Sequence, residues 1–183
     1  MITFVLGGAK SGKTGFALKY AKELKGFKNY YYLATAQALD EEMKEKIEKH
    51  QKERPSFWKL IEEPLNISYH LEKLSDSFSV ILLDCVTLWV SNILHYNKDL
   101  DKETERFLKA LKNYRNHERS WLIIISNEIG LGIVPENKLA RKYRDLVGSL
   151  NQKISALSEE VYFIVAGLPI SLKKATSLDL EII

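Results

Sequence analysis

The sequence predicts an α/β protein: a mostly parallel sheet with helices on both faces, in three layers. Short apolar runs rich in β-branched residues alternate along the chain with stretches of helical periodicity, the mark of repeated strand–helix units. The runs at 79–84 and 121–126 are almost continuously apolar, as strands buried on both faces are. The N-terminal run, residues 2–6, meets Gly7-Gly8-Ala9-Lys10-Ser11-Gly12-Lys13-Thr14, which fits G-x-x-x-x-G-K-[ST], the spacing of a phosphate-cradling loop.

Each element has its own reason. After Thr14, the residues Phe16, Ala17, Tyr20, Ala21 and Leu24 recur at helical spacing, and Gly26 is a natural stop. Residues 30–34, three tyrosines then Leu-Ala, read as a second strand ending at Thr35. Asp40 can cap a helix on which Met43, Ile47 and His50 share a face, and Arg54-Pro55 ends it. Residues 57–61 predict a short strand, and only weak periodicity follows to Leu74. Strand 79–84 carries Asp84 at its C-terminal end, and helical patterns follow from Thr87 to Leu94 and from 101 to 115. Beyond strand 121–126, the stretch 127–135 is too glycine-rich and proline-bounded for regular structure. A long helix is then predicted with Leu139, Tyr143, Leu146, Leu150, Ile154 and Leu157 on one stripe. A further strand, 161–166, is expected to end at Gly167-Leu168-Pro169, and no pattern is readable after Lys173.

Composition narrows the function. A chain of 183 residues, 45% apolar and 28% charged, fits one folded domain over residues 1–183, with no linker, repeat or low-complexity stretch. The formal charge of +3 suits an anionic small ligand and is too slight to argue for nucleic acid. One cysteine, Cys85, excludes an intrachain disulfide and fits a reducing compartment. No run of eighteen apolar residues predicts a membrane span, and no basic stretch precedes the first apolar run, so the cytoplasm is the expected location.

The chemistry starts at the glycine loop. Glycines let consecutive backbone N–H groups converge on an anion, and the helix expected from Lys13 adds the positive end of its dipole. Lys13 can reach the β- and γ-phosphates, and the Thr14 hydroxyl can hold Mg²⁺. Asp84 stands where a phosphate-loop protein holds Mg²⁺, directly or through water; a helix-capping role is the alternative. The fold that follows is a P-loop NTPase of RecA-like form. In such sheets ligands sit outside the C-terminal strand ends, where Thr35, Asp84, Asn127, Glu128 and the 167–169 turn also gather. Glu128 could orient a nucleophile or bind a ligand hydroxyl, and a loop carboxylate satisfied by backbone N–H groups fits equally. His50 could attack phosphorus as neutral imidazole, while a histidine beside Met43 and Ile47 on a helix face reads as packing. His70, His95 and His117 lack metal-ligand spacing, and Arg54, Arg141 and Arg144 read either as phosphate contacts or as solvated surface.

Taken together, these segments resemble a known family. The stretches are 7–14; Leu33-Ala34-Thr35-Ala36; 40–43 leading to His50 and Arg54-Pro55; Trp58 with Glu62-Glu63-Pro64; 83–89 with Asn92; 126–130; 132–136; 139–141 with Arg144-Asp145; Gly148 with Asn151-Gln152; and 166–169. They resemble the bifunctional adenosylcobinamide kinase and adenosylcobinamide-phosphate guanylyltransferase of cobalamin biosynthesis, across most of residues 2–173. Lys10 stands where the family commonly has Arg, and Thr14 where it commonly has Ser; both keep the chemistry. The resemblance implies two reactions. A nucleoside triphosphate, ATP or GTP, phosphorylates adenosylcobinamide; GTP then guanylylates a histidine, and adenosylcobinamide phosphate takes the GMP to give adenosylcobinamide-GDP. It maps the nucleophile onto His50 and nucleotide contacts onto Gly7, Gly8, Ala9, Lys10, Ser11, Gly12, Lys13, Thr14, Leu33, Ala34, Thr35, Gln51, Arg54, Glu62 and Asp84. It also implies Mg²⁺ at Thr14 and Asp84, and a homotrimer. Two alternatives fit the same phosphate loop: a small-molecule kinase without a covalent step, and a nucleotide-dependent switch that modifies no small molecule.

Overall fold

A computed structural model describes residues 1–38, 41, 43–45, 55–116 and 119–174. Among them, seven strands form one sheet: β1 (Ile2–Gly7), β2 (Asn29–Ala34), β3 (Trp58–Glu62), β4 (Ser79–Asp84), β5 (Trp121–Asn127), β6 (Glu160–Val165) and β7 (Leu168–Lys173), in the order β3-β2-β4-β5-β1-β6-β7. All neighbours run parallel except the β6–β7 hairpin. The helices are α1 (Lys13–Glu23), α2 (Ile67–Leu74), α3 (Val86–His95), α4 (Leu100–Arg115) and α5 (Lys138–Leu157).

The period of two within each strand divides the core cleanly. Phe4, Ile81, Leu83, Leu122 and Ile124 point to the face covered by α2, α3, α4 and α5. Val5, Val80, Leu82, Ile123 and Ile125 point to the other, against Ala17 and Ala21 of α1. This two-sided burial is why β4 and β5 read as unbroken apolar runs, and the expected α/β class with helices on both faces is borne out. The register sets the strand ends level. Gly7 lies beside Asn127, and Ala34 lies between Glu62 and Asp84, so one edge of the sheet collects the candidate residues.

Two expectations need correction, and one strand goes beyond them. The strand expected over 161–166 does end before 167–169, at Val165. Ala166 and Gly167, both at positive φ (50° and 80°), then make a two-residue hairpin turn, and Leu168 opens β7, which the sequence pattern does not show. Pro169 is accommodated because β7 is an edge strand, where a missing N–H costs least. The weakly periodic stretch before Leu74 contains a regular helix, α2, whose Ile67 and Leu71 are fully buried. The stripe on α5 begins later than its periodicity suggests: Leu139 is 66% exposed, and burial is carried by Val147, Leu150, Asn151 and Ile154. The helix expected after Asp40 is seen at Glu41 and residues 43–45, while Asp40, Ile47 and His50 lie outside the described residues. No helix among the described residues is long and apolar enough to cross a membrane.

Candidate nucleotide site

The glycine loop joins β1 to α1, and its shape follows from close packing. A Cβ on Gly7 would lie 2.6 Å from the Ile164 carbonyl oxygen and 2.6 Å from Ser11 Oγ, so only glycine fits there. Gly12 sits at φ 96°, and a Cβ on it would lie 3.1 Å from Gly167 Cα. The Gly167 N–H donates to the Ser11 carbonyl at 2.8 Å, so the β6–β7 turn braces the loop from the side. Gly12 is also the N-cap of α1 and brings no side-chain acceptor, which leaves the first N–H groups of the helix available to an anion.

Lys13 is nearly buried and donates to the Gly8 carbonyl at 2.6 Å, folded back across the loop. Burial holds its pKa below the ordinary lysine value, against the opposing pull of Cys85 and Asp84. An ammonium so poorly hydrated gains when a triphosphate replaces the lost water.

β4 brings Asp84 to the same edge, one strand removed from β1. Thr14 Oγ1 donates to Asp84 Oδ2 at 3.2 Å, across the end of β5. The Tyr32 hydroxyl donates to the same oxygen at 2.5 Å. Two hard oxygen donors beside a phosphate cradle match the few protein ligands that Mg²⁺ takes when phosphates and water supply the rest. Cys85, next in sequence, is enclosed, and burial followed by the Asp84 charge pushes its thiol up to about 12; it is neutral packing.

Thr35 is fully buried and serves the frame. Its hydroxyl accepts from the Cys85 N–H at 2.9 Å and donates to the Cys85 carbonyl at 2.8 Å, while its own N–H donates to the Asp84 carbonyl at 3.0 Å. Leu33 is wholly inside the core. Ala34 is half-buried at the edge, and Glu62 is exposed at the end of β3. Gly8, Ala9, Lys10 and Ser11 line the loop, with Ser11 Oγ buried and without a hydrogen-bond partner among the described residues. His50, Gln51 and Arg54 lie outside the described residues.

Glu128 turns its carboxylate onto the Gly130 N–H at 2.7 Å, and its own N–H donates to the Gly7 carbonyl at 3.0 Å. It therefore ties the loop after β5 to the glycine loop. Arg141 donates to the Pro135 and Glu136 carbonyls at 2.9 and 2.6 Å, so its guanidinium holds that same loop. Sequence reasoning gave Tyr32 only a place in a strand, Tyr143 only a place on a helical stripe, and Asn92 only a place in a motif. Asn92 Nδ2 donates to the Thr35 carbonyl at 2.8 Å and the Pro64 carbonyl at 3.1 Å. Tyr143 donates to the Thr87 carbonyl at 2.7 Å. Nothing in a string of apolar and aromatic residues marks such partners.

The chain matches the family model described as "Cobinamide kinase / cobinamide phosphate guanyltransferase" over residues 3–172. It belongs to that family. The chain is accordingly a transferase of the kinase and guanyltransferase kind. A bifunctional adenosylcobalamin biosynthesis protein CobP of Pseudomonas aeruginosa is 41% identical over 175 residues, covering 94% of this chain and 98% of the relative. The CobU proteins of Escherichia coli and Salmonella typhimurium, which carry the same description, are 36% and 32% identical, each with 94% of this chain and all of the relative covered. Among solved structures, the chain resembles the flagellar accessory protein FlaH from Methanocaldococcus jannaschii (TM-score 0.52, 14% identity, 94% of this chain and 78% of that one). It also resembles the RadB recombinase (TM-score 0.51, 17% identity, 88% and 73%). At such identities these likenesses concern fold alone, and the fold they share is the RecA-like P-loop NTPase.

Proposed function

We propose that this family member phosphorylates adenosylcobinamide and then transfers GMP to the product through a histidine, His50. One observation carries the reading: the phosphate cradle, Asp84 and the end of β2 share one sheet edge, with Thr35 hydrogen-bonded to Asp84, an arrangement that supports binding of a nucleoside triphosphate there. His50 enters from the family resemblance.

In the kinase step the substrate hydroxyl oxygen attacks the γ-phosphorus, its bond to the β–γ bridging oxygen breaks to release the nucleoside diphosphate, and the hydroxyl proton passes to solvent. In the transferase step an imidazole nitrogen of His50 attacks the α-phosphorus of GTP and pyrophosphate departs. A phosphate oxygen of adenosylcobinamide phosphate then attacks that phosphorus, the P–N bond breaks, and His50 is restored. Splitting one displacement into two is the gain of covalent catalysis, and it requires neutral imidazole. Lys13 and the loop N–H groups bind and orient the phosphates. Thr14 and Asp84 would hold Mg²⁺, which supplies charge neutralisation on the phosphates when bound.

The remaining parts of the proposal are a single domain for both activities, a cytoplasmic location and a homotrimer. Exposed apolar side chains on β7, Leu168, Ile170 and Leu172, support an assembled state.

The test is incubation with α-³²P GTP and Mg²⁺, comparing wild type with His50→Ala. Acid-labile, alkali-stable label in wild type alone is expected. No label in either protein, with nucleotide binding intact, leaves a kinase without a covalent step; label persisting in His50→Ala moves the chemistry to another residue.

A further inference from the structure

Tyr32 sits mid-strand in β2, its ring on the α1 side of the sheet and 6.1 Å from that of Trp58. That position alone describes a core aromatic. Its hydroxyl, however, donates to Asp84 Oδ2, the same oxygen that accepts from Thr14 Oγ1. A hydroxyl has one hydrogen and two lone pairs. Thr14 can turn a lone pair toward a cation when its hydrogen is held by another group, and Asp84 Oδ2 holds it. The terminal torsion of an aspartate is broad, so a carboxylate with one weak bond turns easily. Tyr32 removes that freedom: its ring is fixed by packing, and its short hydrogen bond fixes the oxygen.

We propose that Tyr32 is a positioning residue for the divalent-cation site of Thr14 and Asp84. The proposal rests on the reading that those two residues hold the metal. Tyr32 acts through Asp84 rather than on nucleotide or cation, as partners behind metal ligands do.

The experiment titrates free Mg²⁺ into the full-length protein with a fluorescent GTP analogue and reads nucleotide binding, for wild type, Tyr32→Phe and Asp84→Asn. Tyr32→Phe deletes one oxygen and keeps the ring. It is expected to raise the Mg²⁺ midpoint on the order of 10-fold, leaving binding in excess chelator unchanged; Asp84→Asn raises the midpoint at least as far. A midpoint unmoved in Tyr32→Phe but raised in Asp84→Asn overturns the role of Tyr32 and keeps the metal site. A midpoint unmoved in both overturns the metal assignment and the proposal with it. Parallel loss of binding in chelator by Tyr32→Phe shows that the hydroxyl serves the fold instead, which also overturns it.

Discussion

Lys13 is a charge kept in a place where little water reaches it. Its pKa is lower in the folded chain than the 10.5 of an unfolded lysine, chiefly through burial. A base shifted in this direction destabilises the fold in full at neutral pH, and the cost fades as pH rises through the folded value. Replacing the charge with an apolar chain of similar length removes it. Lys13→Met is therefore expected to raise the thermal midpoint of the nucleotide-free protein at pH 7, with a smaller gain over wild type near pH 10. The same change should weaken nucleotide binding about 10- to 100-fold, the worth of a charge-assisted hydrogen bond. Scanning calorimetry at the two pH values and a nucleotide titration check both halves. A lower midpoint at pH 7 would mean that the Lys13 bond to the Gly8 carbonyl outweighs its burial.

Among elements, the ends of β2 and β3 depend on a side chain from α3. Asn92 satisfies the Thr35 and Pro64 carbonyls together, and its amide is almost sealed from solvent. Asn92→Ala leaves both acceptors unmet and should cost about 1–3 kcal/mol, read as a lower urea midpoint at unchanged slope. Asn92→Asp keeps the shape but loses both donors, and is expected to cost at least as much; a mild Asp variant would shift the role to space-filling. This contact also shows what a sequence conceals. The glycine loop was legible because its pattern is compact, eight consecutive residues at fixed spacing, even though part of what demands glycine there comes from β6 and its turn. The bond from Tyr32 to Asp84 spans 52 residues and that from Asn92 to Thr35 spans 57, so neither leaves a periodic trace. β4 and β5 announced themselves by burial on both faces. β7 did not, because Leu168-Pro169 looks like a stop and edge position alone makes that proline tolerable. Leu139 misled in the opposite way, since helical spacing continues past the point where anything covers it.

On the scale of the whole molecule, the two faces of the sheet are unequally dressed among the described residues. Four helices share one core and α1 alone covers the other. Beyond the sheet edge, Leu131, Ile133 and Val134 in the loop after β5 are exposed, as are Leu168, Ile170 and Leu172 on β7. The proposed trimer gives such surface a use. Sedimentation equilibrium should return the mass of three 21.1 kDa chains; a single-chain mass at micromolar concentration would remove the trimer from the proposal.

The brace between Gly167 and Ser11 sets an order of events. β1 and the loop that follows it are synthesised before every other strand of the sheet, yet β1 is enclosed by β5 on one side and β6 on the other, and its loop rests on the turn after β6. The cradle thus depends on contacts about 150 residues away along the chain, the slowest kind to close. A ribosome must read past β6 before the pocket next to β1 can take its shape, so nucleotide has little to hold while the strands between are still being made.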